Sequence, residues 1–340
     1  TVIFVRIKKI LKVSLVSCAK RTAEELLAQA VDSLNAMIPA QGKTIVVHNP
    51  LSWQRGDVVR VALKELPEHF DIVEVASQRP VAYQKTDDAA VFYASNVPGL
   101  GYQCYCVRVR QDEPSFASSI QKTNNTLENR FYKITLDEKG EIAGIWDKRR
   151  NVQLADEEAP YRMNEFVYMT SDFHGNRVRA IGRMHDVSVS IRMGAKEGRV
   201  ITEGFCDGTA GIRREIILYE DEPRIDFINT VYKNDALAWR KQDEEGFFVF
   251  PLRVPDFCLR HEMPVGDVRP YVEKSHVQPS EGTAEQFYTS STDFYTANRW
   301  IDASSMAAGY GITLSALSAP IVQYGERRTL LYDLDYNTRK

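Results

Sequence analysis

No run of eighteen apolar residues occurs in the 340-residue chain, so no segment reads as a transmembrane helix. Cysteine is sparse. Cys18, Cys104, Cys106, Cys206 and Cys258 are odd in number and irregular in spacing, which gives neither a disulfide framework nor a zinc motif. Cys104 and Cys106 stand two apart in an extended stretch and share a face; free buried thiols are the expectation. A charge excess is missing too. Lys and Arg number 43 against 46 Asp and Glu, a net −3 with no long basic run, which excludes a nucleic-acid partner. The chain has no G-x-S-x-G elbow, no P-loop and no dinucleotide fingerprint. It also has no repeat of fixed period, so a propeller or solenoid is not expected.

The opening TVIFVRIKKILKVSLVSC ends in a lipobox-like Leu-Val-Ser-Cys at Cys18. However, Arg6, Lys8, Lys9 and Lys12 break up its apolar stretch, leaving no clean signal-peptide core. A soluble, cytoplasmic protein is expected rather than a secreted one. Helical periodicity is confined to AKRTAEELLAQAVDSLNAMIP, where Thr22 and Glu25 form a capping box. Leu26, Leu27, Ala30, Val31, Leu34 and Ile38 make one apolar stripe, and Pro39 and Gly42 end it. Such a stripe needs a partner, either a sheet or helices upstream.

From residue 44 onward the pattern is mainly β, which suits 16 Tyr and 15 Phe. IVVHNPLSWQRGDVVRV reads as strand, corner, strand: Pro50 lacks an N–H and biases Asn49 toward extended backbone. Residues 44–112 carry short strands. Residues 113–126 are polar and aperiodic and read as a connection. Beyond it, Glu138-Lys139-Gly140 marks a hairpin, and Val187, Val189, Ile191 and Met193 alternate on one strand face. Strands at this spacing and number, with no intervening helices, predict a large antiparallel sandwich over residues 127–340.

Five stretches in order, VVHNPLSWQRGDVVRV, ENRFYKITLDEKGEIAGIWDK, PRIDFINTVYKND, EEGFFVFPLRV and RWIDASSMAAGYGITLSALSAP, resemble the C-terminal β-region of family 38 glycoside hydrolases, the zinc-dependent α-mannosidases. The resemblance implies that residues 1–43 hold the last helix of a helical middle domain and residues 44–112 a small β-sandwich. It implies a galactose-mutarotase-like supersandwich over 127–340, incomplete at its end. Trp53 would then wedge into an inter-domain seam, with Arg55 bonding nearby carbonyls. The resemblance places the zinc, the nucleophile and the acid/base carboxylate in an upstream barrel absent from this chain, in cis or as a separate chain. No catalytic residue and no metal ligand is therefore expected here.

The residues themselves agree. His69-Phe70-Asp71 has the family's His-x-Asp spacing but runs into an ordinary strand, and His185-Asp186 reads as a turn pair; neither has the further ligands zinc needs. Asp156-Glu157-Glu158 and Asp243-Glu244-Glu245 read as solvated connections. The most site-like stretch is STDFYTANRWIDASSMAAGYG. Tyr295 and Trp300 could stack on a sugar, and Arg299 and Asp302 could bond its hydroxyls. The competing assignment is an Arg299–Asp302 ion pair with Trp300 in the core. His174, beside Asp172 in a Gly-broken loop, is the acid an epimerase of this superfold would need, although a shared fold does not carry function. The expected partner is a mannoside or glycan. The alternatives are a stand-alone carbohydrate-binding or structural module, or an aldose-1-epimerase-like enzyme.

Overall fold

The computed structural model describes residues 2–39, 42–171, 178–233, 243–263, 266–269, 294–315, 321–324 and 329–333. The chain is mainly β and divides into two compact units, Thr1–Phe116 and Ala117–Lys340.

In the first unit a helix runs from Val2 to Ala36 without a break, so Thr22 is an interior residue and not an N-cap. No Gly or Pro stands between Val2 and Thr22 to stop the helix, and one Thr costs it only a few tenths of a kcal/mol. Leu26 and Leu27 are 60% and 65% exposed, so the expected apolar stripe lies uncovered. At the C-terminal end, His48 Nε2 and Asn35 Oδ1 share a 2.8 Å hydrogen bond that ties the helix to the first strand.

Two antiparallel sheets follow. One orders its strands Thr44–Asn49, Gly101–Val109, Phe70–Glu74, Pro80–Val81; the other Arg55–Ala62, Ala89–Val97, Tyr83–Lys85. Between them Phe70, Ile72, Phe92, Ala94 and Tyr105 are at most 2% exposed and close the core. Burying a side chain such as Phe92 contributes about 1.5–3 kcal/mol.

Asn49 explains the corner at His-Asn-Pro. Its amide Nδ2 donates to Trp53 O at 2.7 Å, Pro98 O at 3.0 Å and Val97 O at 3.2 Å, while Oδ1 accepts from Leu51 N at 3.1 Å. Gly99 lets the backbones meet, because a Cβ there would stand 2.4 Å from Ser52 O. Trp53 is 60% exposed and Arg55 pairs with the Asp57 carboxylate, not with carbonyls. The corner is thus clamped by an amide, and the indole projects from it.

The second unit contains four antiparallel sheets among the described residues. The residues 113–126, expected as a mere connection, are partly built into it. Ile120 is 6% exposed in the core, and Gln121–Lys122 is an edge strand paired with Thr126–Glu128. The hairpin at Gly140 forms as expected, with φ +73° at Gly140 and its N–H bonded to Asp137 O. Residues Asp243–Pro251, whose acidic start was read as a connection, form a strand from Asp243 paired with Glu165–Ser171. Only half of the alternating strand His185–Met193 meets its expectation: Ile191 packs on the core, whereas Val189 and Met193 are 42% and 47% exposed.

Leu127, Ile134, Phe166, Val200, Leu218 and Phe248 anchor one core shared between the sheets. Inside it sits a charge. Arg214, 4% exposed, reaches Glu141 with two bonds of 2.6 and 2.9 Å and donates to Asn164 O at 3.0 Å. Asn164 and Asn229 exchange reciprocal amide bonds of 3.0 and 2.7 Å beside it. Hydrogen bonds from both terminal nitrogens offset the cost of burying the pair, and the Nε of Arg214 is left without an acceptor among the described residues. The thiols depart from expectation: only Cys206 is buried, Cys104 and Cys106 are half-buried, and Cys18 and Cys258 are exposed.

Candidate functional site

Four strands of the second unit build an open concavity. Their order is Gly266–Val268, Cys258–Met263, Trp300–Ser305, Tyr310–Ser315. Side chains alternate across a sheet, so register decides what meets. Leu259, His261, Ile301 and Ala303 turn to the core and are at most 9% exposed. The other face brings Arg260 opposite Asp302, Glu262 opposite Asp267, and Asp302 opposite Thr313. These residues, with Trp300, Met263 and Gly266, line an open cleft of about 690 Å³.

Most of the charged groups are paired. Thr313 Oγ1 donates to Asp302 Oδ1 at 2.7 Å. Arg260 pairs with Asp267, and its Nε is buried with no acceptor among the described residues. Arg299 Nε donates to both oxygens of Glu262, at 3.1 and 3.0 Å, and its Nη2 pairs there too. That guanidinium holds the Glu262 carboxyl below its ordinary range, and Glu262 in turn raises Arg299.

Of the residues expected to face substrate, Trp300 and Asp302 line the cleft, and Trp300 is half-buried rather than core. Arg299 is not in the lining and clamps Glu262; it does not pair with Asp302, whose bond goes to Thr313. Tyr295 belongs to a different sheet, in the strand Phe294–Thr296, with its backbone opposite Val322. His174 and Asp172 lie outside the described residues. Arg260, Glu262, Asp267 and Thr313 did not stand out in the sequence; only the strand register gathers them.

The two His–Asp pairs are otherwise engaged. His69 Nδ1 and Glu113 Oε2 are 3.0 Å apart, and Asp71 takes a two-pronged bond from Arg110 at 3.1 and 3.0 Å. His185 and Asp186 bond to each other at 3.0 Å, exposed, at a bulge where Asp186 adopts φ +51°. Among the described residues no three His, Cys, Asp or Glu side chains converge as a metal site needs. No described helix is long and apolar enough to cross a membrane.

No protein-family model and no curated protein matches the sequence. Solved structures do match the fold. An α-mannosidase from Enterococcus faecalis V583 superimposes with a TM-score of 0.62 at 10% identity, over 92% of this chain and 42% of that one. A glycosyl hydrolase family 38 protein from Enterococcus faecalis gives 0.59 at 10% identity, over 87% of this chain and 41% of its own. The chain therefore has the fold of about two fifths of these proteins.

Proposed function

We propose that this chain is the β-structured portion of a family 38-like α-mannosidase, which hydrolyses α-mannosidic bonds in glycans. The observation that carries this is the lopsided match: nearly all of this chain superimposes, on less than half of an α-mannosidase. The chain packs on and borders a catalytic barrel supplied in cis or by another polypeptide. Retaining hydrolysis needs two carboxyl groups roughly 5–5.5 Å apart across the scissile bond. Here the carboxylates of Glu262 and Asp267 are tied to guanidinium groups, His69 and Asp71 are bonded to Glu113 and Arg110, and His185 and Asp186 are bonded to each other. The nucleophile, the acid/base group and the zinc belong to the barrel.

The test is a hydrolysis assay with 4-nitrophenyl α-D-mannoside and added zinc. The 340-residue chain alone is expected to release no nitrophenol, and the chain joined by a barrel polypeptide is expected to release it. Turnover by the chain alone rejects the proposal, as does catalysed mutarotation of a free hexose.

A further inference from the structure

We infer that the open cleft on the outer face of the four-stranded sheet is a subsite for one neutral hexopyranose unit, with Trp300 as its stacking platform and Asp302 as its hydroxyl acceptor. The choice of an α-mannoside as the hexose rests on the function proposed above; the cleft and its chemistry do not.

Size comes first. About 690 Å³ lies within the several-hundred-Å³ range of small-molecule sites and leaves room for a sugar with its linked neighbour. The lining comes second. A pyranose has an apolar C–H face and a rim of hydroxyls, and it needs an aromatic plane beside fixed acceptors and donors. The half-buried indole of Trp300 is that plane, and Asp302 is two residues along the same strand, so it points to the same side.

Charge decides the class of sugar. Glu262, Asp267 and Asp302 line the cleft with Arg260, and Arg299 pairs with Glu262, so one carboxylate is in excess. That repels phosphorylated or carboxylated sugars. Two of the three carboxylates are already matched, Asp267 by Arg260 and Glu262 by Arg299. Asp302 is the one that no guanidinium matches among the described residues. Among the described residues Thr313 occupies only its Oδ1, which leaves Oδ2 to accept from a ligand hydroxyl. Because Thr313 and Arg299 hold their carboxylates before any ligand arrives, binding costs little ordering entropy.

The experiment is calorimetric titration of the whole chain with methyl α-D-mannopyranoside and an α-linked mannobiose, repeated with mannose 6-phosphate and choline. Saturable millimolar binding of the neutral sugars is expected. Trp300→Ala and Asp302→Asn should each weaken it at least about tenfold, as loss of a central contact does. Trp300→Phe should retain most of it, and Trp53→Ala, in the other unit, should leave it unchanged. Asp302→Asn is isosteric, and a melting curve confirms its fold. Mannose 6-phosphate should bind at least about tenfold more weakly. The inference falls if the neutral sugars do not saturate, if Trp300→Ala and Asp302→Asn bind as wild type, or if choline binds more tightly. Turnover by the chain alone would instead sink the scaffolding function and leave the subsite standing.

Discussion

Replacing Arg214 by Met leaves the Glu141 carboxylate nine-tenths buried with no cation against it, and takes a donor from Asn164 O. Removing one partner of such a pair costs about 3–5 kcal/mol, because the remaining charge has left water without compensation. For a unit of this size each kcal/mol moves the midpoint by roughly 2–4 °C, so melting should drop by about 6–20 °C. The partner double variant, Glu141→Leu with Arg214→Met, removes both charges and lets the core close on apolar atoms. Its remaining cost is the lost bond to Asn164 O, about 1 kcal/mol. The assay is urea denaturation followed by tryptophan fluorescence in a Trp53→Phe background. The other three tryptophans, Trp146, Trp239 and Trp300, all lie in Ala117–Lys340, so the signal reports that unit alone. A single variant within about 1 kcal/mol of wild type would refute the reasoning. So would a double variant that costs the sum of the two singles, since that denies the coupling.

Asn49→Asp keeps the acceptor for Leu51 N but turns a carboxylate toward the carbonyls of Trp53, Val97 and Pro98, so the first unit should lose about 2–3 kcal/mol in thermal melts. The exposed Trp53→Ala, by contrast, should change melting by less than about 0.5 kcal/mol. Burial raises the Glu215 carboxyl, but hydrogen bonds from Arg213 and Arg199 outweigh that and hold it below its ordinary value near 4.5. Its share of stability is therefore complete above that value and is lost as pH falls through the lower folded value; the melting gap to Glu215→Gln should shrink from pH 7 toward pH 3, and a constant gap counts against it. Gly140→Ala puts a side chain at φ +73° with its Cβ 2.3 Å from Val189 Cγ2, and denaturant midpoints should report a loss of about 1–3 kcal/mol.

The mainly β character was legible because period-2 patterning is local. The hairpin at Gly140 and the strand at Phe70–Glu74 needed only their own residues to be seen. Where expectation failed, residues outside the window being read had overridden its local signal. Thr22 reads as a cap only if nothing helical precedes it, and the twenty residues before it turn out to carry the helix on. Asp243-Glu244-Glu245 looks like a solvated run, yet Glu165–Ser171 supplies the ladder that makes it a strand. Ile120 is a lone apolar residue in a polar tract, and a single residue has no period from which burial could be read.

The cleft shows the same limit from the side of function. Trp300 and Asp302 announce themselves because an aromatic and an acid two residues apart on a strand are recognisable without a partner. Arg299 was assigned as a ligand contact by the same proximity. Its true neighbour, Glu262, is 37 residues away in sequence and meets it only because His261 pairs with Ile301 across the sheet. The alternation in Cys258–Met263 does contain the clue, since Leu259 and His261 are inward and Arg260 and Glu262 outward. It becomes a site only once the register sets Arg260 against Asp302 and Glu262 against Asp267. A shift of one residue in that pairing would send Trp300 and Asp302 into the core and bring Ile301 out. The chemistry of this face therefore depends on strand register more than on any single motif. A substitution that loosens the pairing of Cys258–Met263 with Trp300–Ser305 should abolish sugar binding even with every lining residue intact.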